Sequence, residues 1–280
     1  MSSISKALEK ARRRQGASTG VETSLGSPNG PSSASPISPG RADDDVRTVL
    51  KVGRFDAAEE HLVSLLSPES MQSEHYQTIR FAVERMHQKD RGLIIGVSSS
   101  SAKDGKTLTT LNLAGCLGRD KKSRVLVVDS DLRNPSIGKY LGLSSRGPGL
   151  GGALRQAHSS LESITKMHPE YNIAVLPAGE PSTVPYEVLK SPQVESLFRQ
   201  ARLLFDFVCV DMPPVIFPEC RLLNEQLDGL LLVISAHRTQ RSDLKRALGG
   251  LDSSKVMGIV FNRDTESVRR IPSYYYTQRG

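Results

Sequence analysis

The feature that most constrains the fold is a series of short apolar, β-branched segments that alternate with helical stretches from residue 92 onward. Segments that are apolar on both faces and separated by helices are typical of a parallel sheet covered on both sides. The sequence therefore predicts a doubly wound, mostly parallel α/β domain over residues 46–265. Its predicted strands are 93–97, 124–129, 172–176, 207–211, 229–235 and 256–262.

The first predicted strand runs into a loop of small and polar residues and then into a helix. Gly105-Lys106-Thr107 matches the end of a P-loop, although Ser100 stands where the first glycine is expected. In a P-loop the backbone amides and helix N-terminus bind phosphates, the lysine reaches the β- and γ-phosphates, and the hydroxyl ligates Mg²⁺. A simple anion nest or polar turn is the alternative. The predicted nucleotide-binding residues are Ser101, Ala102, Lys103, Asp104, Gly105, Lys106, Thr107, Leu108.

Acidic residues follow two further predicted strands. Asp129 and Asp131 come at the end of the second strand, and Asp211 ends the fourth. Because ligands of open α/β sheets bind beyond the carboxyl ends of the strands, we expect these carboxylates to converge beside the P-loop. Each Asp alone is typical of a turn or helix cap. Together with a P-loop they indicate a Mg²⁺ ligand and a base that accepts a proton from an attacking hydroxyl.

Composition argues against several classes of protein. The longest uncharged apolar run, 229–236, is far shorter than the roughly 20 residues that span a bilayer, and the N-terminus lacks the apolar segment of a secretory signal. Three cysteines without a CxxC pair suggest reduced thiols in a cytoplasmic protein. The net charge of +7 lies mostly at 1–14 and 261–280, so we expect no nucleic-acid partner.

The segments that flank the domain have their own patterns. Residues 1–14 are predicted to form a short basic amphipathic helix that docks on a partner or on anionic lipid, or else a frayed tail. Residues 15–45 are rich in Ser, Pro and Gly and are predicted to be a disordered linker. Helices are predicted over 56–66 and from 67 to about 88, and a tyrosine-rich tail over 266–280.

Three motifs in this order resemble those of a known family. Gly105-Lys106-Thr107 is followed by a DxDxR motif at 129–133, a DxPP motif at 211–214 and a tyrosine-rich C-terminus. This set resembles the bacterial tyrosine kinase family of capsular and exopolysaccharide synthesis. The similarity extends through 147–154, 176–192 and 256–263, and so covers roughly residues 70–280.

The resemblance implies an ATP-dependent protein-tyrosine autokinase that regulates exopolysaccharide or capsule synthesis and export, with ATP and Mg²⁺ as cofactors. Lys106 would bind phosphates, and Asp129 would be the general base that a tyrosine with a pKa near 10 needs. Asn262 matches a family position near the adenine. The Mg²⁺ ligands would be Thr107, Asp131 and Asp211, the motif adds Arg133, and the acceptors, modified in trans, would be Tyr274, Tyr275 and Tyr276.

The resemblance also implies partners. Many relatives are fused to a membrane-spanning adaptor, which this sequence lacks, so a separate adaptor or activator of the polysaccharide co-polymerase type would recruit the protein to the inner face of the membrane. The family's ring-forming helix carries one Glu and two Arg at a spacing of three. Glu74 and Arg80 match, while Gln77 stands at the middle position, so the resemblance implies a homo-oligomer in which one inter-subunit pair is weakened.

Two other functions remain compatible with the amino-acid sequence. One is a P-loop ATPase switch of the Min/Par type, whose signature adds a second lysine five positions before the P-loop lysine. Ser101 occupies that position, which disfavours the switch. The other is a nucleotide-binding regulatory subunit with weak or no catalysis, suggested by Ser100 and Gln77 at positions where the family has glycine and arginine.

Overall fold

The computed structural model describes residues 46–264, except 57, 89, 144–146 and 157–159. The predicted N-terminal helix at 1–14, the predicted linker at 15–45 and the tyrosine-rich tail at 266–280 lie outside the described residues.

A single sheet of eight strands organises this domain, in the order β1-β4-β5-β3-β6-β2-β7-β8. All neighbouring pairs are parallel except β4 and β5. The predicted fold class, a mostly parallel doubly wound sheet, is confirmed. The strands are β1 (Lys51–Val52), β2 (Leu93–Ser99), β3 (Val125–Asp129), β4 (Lys166–Met167), β5 (Ala174–Leu176), β6 (Phe207–Asp211), β7 (Gly229–Ser235) and β8 (Val256–Asn262).

The helices complete the two layers around the sheet. They are α1 (Val46–Val49), α2 (Val63–Leu66), α3 (Met71–Glu84), α4 (Lys106–Leu117), α5 (Ile137–Tyr140), α6 (Gly149–Ala153), α7 (Leu161–Ile164), α8 (Pro185–Leu189), α9 (Gln193–Leu204), α10 (Pro218–Asn224) and α11 (Arg241–Gly249). Among the described residues, none of these helices is both long and apolar enough to cross a membrane.

The core divides into two clusters because successive strand side chains point to opposite faces. Ile94 and Leu126 belong to one cluster, which packs against α6 to α11. Their neighbours Ile95 and Val127 belong to the other, which packs against α3, α4 and α5. The central strands β2, β3, β6 and β7 are buried along their whole length, as expected for strands covered on both faces.

The predicted helix over 56–66 is wrong except for its last turn, α2. The amide of Asp56 donates to the carbonyl of Gly142 at 2.7 Å, and that of Glu59 donates to the carbonyl of Tyr140 at 2.9 Å. These amides therefore bond to the end of α5 rather than within a helix. The second predicted helix is α3, which begins after the N-cap Ser70, whose side chain accepts a hydrogen bond from the amide of Ser73.

Candidate functional site

The register of three central strands brings the predicted site residues to one edge of the sheet. Asp129 at the end of β3 is the register partner of Asp211 at the end of β6. Asp211 is also paired with Val97 of β2, three residues before Ser100, where the P-loop begins. Parallel strands in this register end side by side, so the P-loop and the carboxylates lie at the same carboxyl edge.

The P-loop is organised around the side chain of Asp104. Its Oδ2 accepts hydrogen bonds from Ser100 Oγ and from the amide of Ser101, both at 2.9 Å. Thr239, which follows β7, donates to Oδ1 at 3.4 Å. The Ser101 amide is therefore already bonded, and the amides at the start of α4, which helix geometry leaves without an intrahelical acceptor, are the better phosphate donors.

Gly105 lies where the loop enters α4 and is packed against Asn262. Its φ of 105° is in the left-handed region, and a Cβ built there would lie 1.9 Å from Asn262 Nδ2. The same Nδ2 donates to the carbonyl of Asp104 at 2.8 Å. The structure thus places Asn262, the last residue of β8, directly on the P-loop.

Replacing Gly105 by Ala should therefore lower the free energy of unfolding by about 1–3 kcal/mol, through backbone strain and displacement of Asn262. Denaturant unfolding measures this directly. Gly249→Ala is the matched control, because no atom lies within 4 Å of a Cβ built there and its φ is ordinary. Equal losses of stability in the two variants would contradict the assigned strain at Gly105.

Lys106 forms the centre of a buried charged cluster. Its Nζ lies 2.9 Å from Asp131 Oδ2 and 3.1 Å from Asp211 Oδ1, and its side chain is only 10% exposed. Thr107 Oγ1 donates to Asp211 Oδ2 at 2.6 Å. The single hydroxyl proton of Thr107 is used in that bond, so Ser136 Oγ, 2.9 Å away, is the donor to Thr107 Oγ1.

The charges of this cluster shift the pKa values of its members. Burial alone would lower the pKa of Lys106, but Asp211 and Asp131 outweigh it and raise that pKa above its usual range. Burial raises the pKa of Asp211 above its usual value, although the charge of Lys106 and the hydrogen bond from Thr107 each lower it. The pKa of Asp129 is raised to about 7 by burial and then by the charge of Asp211.

Asp129 is held rigidly by backbone amides. Its Oδ2 accepts from the amides of Ser136 at 2.9 Å and Ile137 at 3.0 Å, at the start of α5. Its Oδ1 accepts from the amide of Asp131 at 3.3 Å. A carboxylate oxygen has two acceptor positions, so Oδ1 retains one for a further donor.

The side-chain oxygen atoms at this edge of the sheet fit the ligand preference of Mg²⁺. The ion prefers oxygen ligands and is usually held by one or two carboxylates together with water and substrate phosphates. Asp131 and Asp211 both contact the one cationic group of Lys106, so their oxygens already converge on one positive charge. In the described part of the chain no cluster of three or more His, Cys, Asp or Glu side chains could hold a metal by itself. Thr107, Asp131 and Asp211 are thus the residues that would hold Mg²⁺ when phosphates complete its shell.

Arg133 lies beside the cluster and has a partner that the sequence did not indicate. Its Nε and Nη2 donate to Glu219 Oε1 at 3.1 and 2.6 Å, and its guanidinium carbon is 4.8 Å from the centre of the Phe217 ring. Ser136 was also missed. Both Glu219 and Ser136 are single polar residues outside any motif, so only their contacts reveal them.

The remaining predicted residues lie on the P-loop, on α3 or outside the described residues. Glu74 and Arg80 are both on α3, where Arg80 pairs within the helix with Glu84 at 2.7 Å. Lys103 adopts a left-handed φ of 67° at the tip of the P-loop. The predicted acceptors Tyr274, Tyr275 and Tyr276 lie outside the described residues.

The chain is similar in sequence and in fold to proteins that are already known. The chain is 28% identical over 232 residues to the tyrosine-protein kinase YwqD of Bacillus subtilis (strain 168), covering 82% of this chain and 97% of that protein. It superposes on the kinase domain of the Escherichia coli tyrosine kinase ETK with a TM-score of 0.67 at 19% identity, over 75% of this chain and 82% of that one. The chain is related to the bacterial tyrosine kinases.

Some bacterial tyrosine kinases and their relatives are much longer. The succinoglycan biosynthesis transport protein ExoP of Rhizobium meliloti (strain 1021) is 28% identical over 205 residues, which cover 70% of this chain but 25% of ExoP. The fold is also similar to that of the cell division ATPase MinD of Pyrococcus furiosus, with a TM-score of 0.52 at 27% identity over 65% of this chain and 77% of MinD. No protein-family model matches the chain.

Proposed function

We propose that this chain is an ATP-dependent protein-tyrosine kinase of exopolysaccharide or capsule synthesis and export, which phosphorylates its own C-terminal tyrosines in trans. The observation that carries the proposal is the P-loop Lys106 in contact with Asp131 and Asp211, with Asp129 beside them. The names of the relatives, a tyrosine-protein kinase and a succinoglycan transport protein, support the reaction and its biological setting.

In this mechanism Lys106 exchanges its carboxylate partners for the phosphates of ATP. Asp131, Asp211 and Thr107 would hold Mg²⁺, which would offset the negative charge of the phosphates. A tyrosine hydroxyl attacks the γ-phosphorus, the bond from that phosphorus to the bridging oxygen breaks, and ADP leaves. Asp129 accepts the hydroxyl proton at Oδ1, its remaining acceptor position.

The acceptors are Tyr274, Tyr275 and Tyr276. The described chain ends two residues after Asn262, which lies on the P-loop. From Asn262 to Tyr275 an extended chain reaches about 40 Å, enough to enter the site of a neighbouring copy. A homo-oligomer in which α3 carries the contact residues Glu74 and Arg80 would bring such copies together.

A separate membrane adaptor would recruit the kinase from the cytoplasm. ExoP is named a transport protein, and the region similar to this chain is 25% of its length, which supports a component of a transport system as the partner. The basic residues 1–14 are the candidate docking element. Unchanged recovery in the membrane fraction after deletion of residues 2–14 would contradict this role.

The function is tested by incubating the purified protein with ATP and Mg²⁺ and mapping phosphate by mass spectrometry. We expect phosphate on Tyr274–Tyr276, none of it in Lys106→Met, and none in the variant with all three tyrosines replaced by Phe. Phosphotyrosine that persists in Lys106→Met would point to a contaminating kinase.

The second candidate is an ATPase switch, which the similarity of the fold to MinD favours. It predicts ATP hydrolysis without phosphotyrosine in the same experiment. Binding of ATP with neither hydrolysis nor transfer, in the presence of a membrane activator, would instead identify a regulatory subunit.

A further inference from the structure

Ser136 precedes α5, but its side chain does not cap that helix. A serine at this position usually accepts a hydrogen bond from an amide of its own helix through its hydroxyl oxygen. The Ser136 side chain makes no such bond. The amides of Ser136 and Ile137 at the start of the helix donate instead to Asp129 Oδ2. The Ser136 hydroxyl is therefore available to another partner.

That partner is Thr107, the second residue of α4. Ser136 Oγ lies 2.9 Å from Thr107 Oγ1 and donates to it, because the proton of Thr107 is used in the 2.6 Å bond to Asp211 Oδ2. A hydroxyl oxygen has one proton and two acceptor positions. Ser136 fills one acceptor position of Thr107 Oγ1, and the bond to Asp211 fixes the direction of the proton. The second acceptor position is left for a further ligand, in a direction that the two bonds set.

Hydrogen bonds to a metal ligand orient it, and their loss typically lowers metal affinity about 10–100-fold. Mg²⁺ is sensitive to such a loss because it requires nearly ideal octahedral geometry. We propose that Ser136 is a positioning residue whose hydroxyl holds Thr107 Oγ1 in the orientation that ligates Mg²⁺. This inference rests on the proposed function, because it assigns a role to Ser136 in the same nucleotide site.

The two contacts of Ser136 can be separated by substitution. Its backbone amide donates to Asp129 Oδ2, whereas its side chain donates to Thr107 Oγ1. Thr107 and Asp129 are both buried, and hydrogen bonds in such surroundings are stronger than in water. A change of side chain at 136 leaves the amide in place, so it removes support from Thr107 and keeps that of Asp129.

The test measures binding of N-methylanthraniloyl-ADP, a fluorescent nucleotide, to the full chain in EDTA and at increasing Mg²⁺. In Ser136→Ala, the Mg²⁺ concentration that gives half of the Mg²⁺-dependent gain in affinity should rise about tenfold. The affinity in EDTA should equal that of the wild-type chain, because Lys106 and the amides of the P-loop remain. An unchanged Mg²⁺ dependence in Ser136→Ala would overturn the proposal.

Ser160→Ala is the matched control. Ser160 also precedes a four-residue helix, α7, and its side chain also makes no capping bond. This variant should keep the Mg²⁺ dependence of the wild-type chain. Ser136→Thr retains a hydroxyl and should recover most of the Mg²⁺ affinity that Ser136→Ala loses. Equal losses in Ser136→Ala and Ser136→Thr would assign the effect to the shape of the loop and overturn the role of the hydroxyl.

A double substitution shows whether Ser136 acts through Thr107. In a Thr107→Ala chain, adding Ser136→Ala should not change the Mg²⁺ dependence further, because the oxygen that Ser136 orients is absent. A further tenfold loss would contradict the proposed action through Thr107.

Binding of the nucleotide is measured without phosphotransfer, so the outcome is independent of the kinase assay. Mg²⁺-dependent binding that is weakened in Ser136→Ala would support the role of Ser136 even if no phosphotyrosine is formed and the kinase function fails. Absence of any Mg²⁺-dependent binding by the wild-type chain would overturn both the role of Ser136 and the proposed function.

Discussion

Replacing Lys106 by Met should abolish detectable phosphotransfer and lower the free energy of unfolding by about 3–5 kcal/mol at pH 8. Phosphotransfer is lost because the side chain that would bind the phosphates of ATP is removed. The loss of stability has a different cause, because Asp131 and Asp211 are buried and would be left without their cationic partner. Denaturant unfolding and phosphotyrosine assays measure the two effects separately.

The pH dependence of this loss gives a further check. Carboxyl groups without a cation can avoid a buried charge by taking up a proton, so the loss of stability in Lys106→Met should shrink as the pH is lowered toward 4. Adding Asp211→Asn should restore part of the stability at pH 8 while transfer stays absent.

Arg199→Met is the matched control for the lost ion pair. Arg199 and Glu195 form a 2.6 Å pair on α9, but both side chains are largely exposed to solvent. An exposed pair contributes at most about 1 kcal/mol. If Lys106→Met were no less stable than Arg199→Met, the buried cluster would not have the energetic role assigned to it here.

Replacing Asp129 by Asn should lower phosphotransfer by about 10²–10⁴-fold while nucleotide affinity is retained. The amide cannot accept the tyrosine proton, yet its oxygen can still accept from Ser136 and Ile137 at the start of α5. Single-turnover transfer and equilibrium binding of ATP separate the two effects. Asp252→Asn, at an exposed site before β8, should leave transfer unchanged. Full transfer by Asp129→Asn would remove Asp129 from the role of base.

The same variant should also change how stability depends on pH. The pKa of Asp129 is raised from 3.8 to about 7 by burial, so the folded state binds this proton more tightly than the unfolded state does. This carboxyl therefore makes the free energy of unfolding fall as pH rises from about 4 to about 7, with no further change above. Asp129→Asn lacks that contribution, and its stability should depend less on pH across this range.

Local sequence patterns predict much of the carboxyl edge of the sheet, where the P-loop and the carboxylates lie. Buried parallel strands produce the continuous apolar runs that predicted β6, β7 and β8 with their observed bounds. Because parallel strands end at the same edge, the motifs at Lys106, Asp129 and Asp211 were expected at one edge of the sheet, and the strand order β3-β6-β2 makes them neighbours. The same reasoning does not extend to β1 and β4, which have two residues each and no periodic pattern.

Periodicity and short motifs were enough to predict the fold class, the P-loop and the edge at which the carboxylates meet. The folded structure was needed to show that Lys106 bridges Asp131 and Asp211, that Ser136 donates to Thr107, and that Arg133 is held by Glu219. It also decided that the amides at 56 and 59 bond to the end of α5 instead of forming a helix. These contacts join residues from different elements, and their geometry is set by strand register and helix packing, which no local pattern encodes.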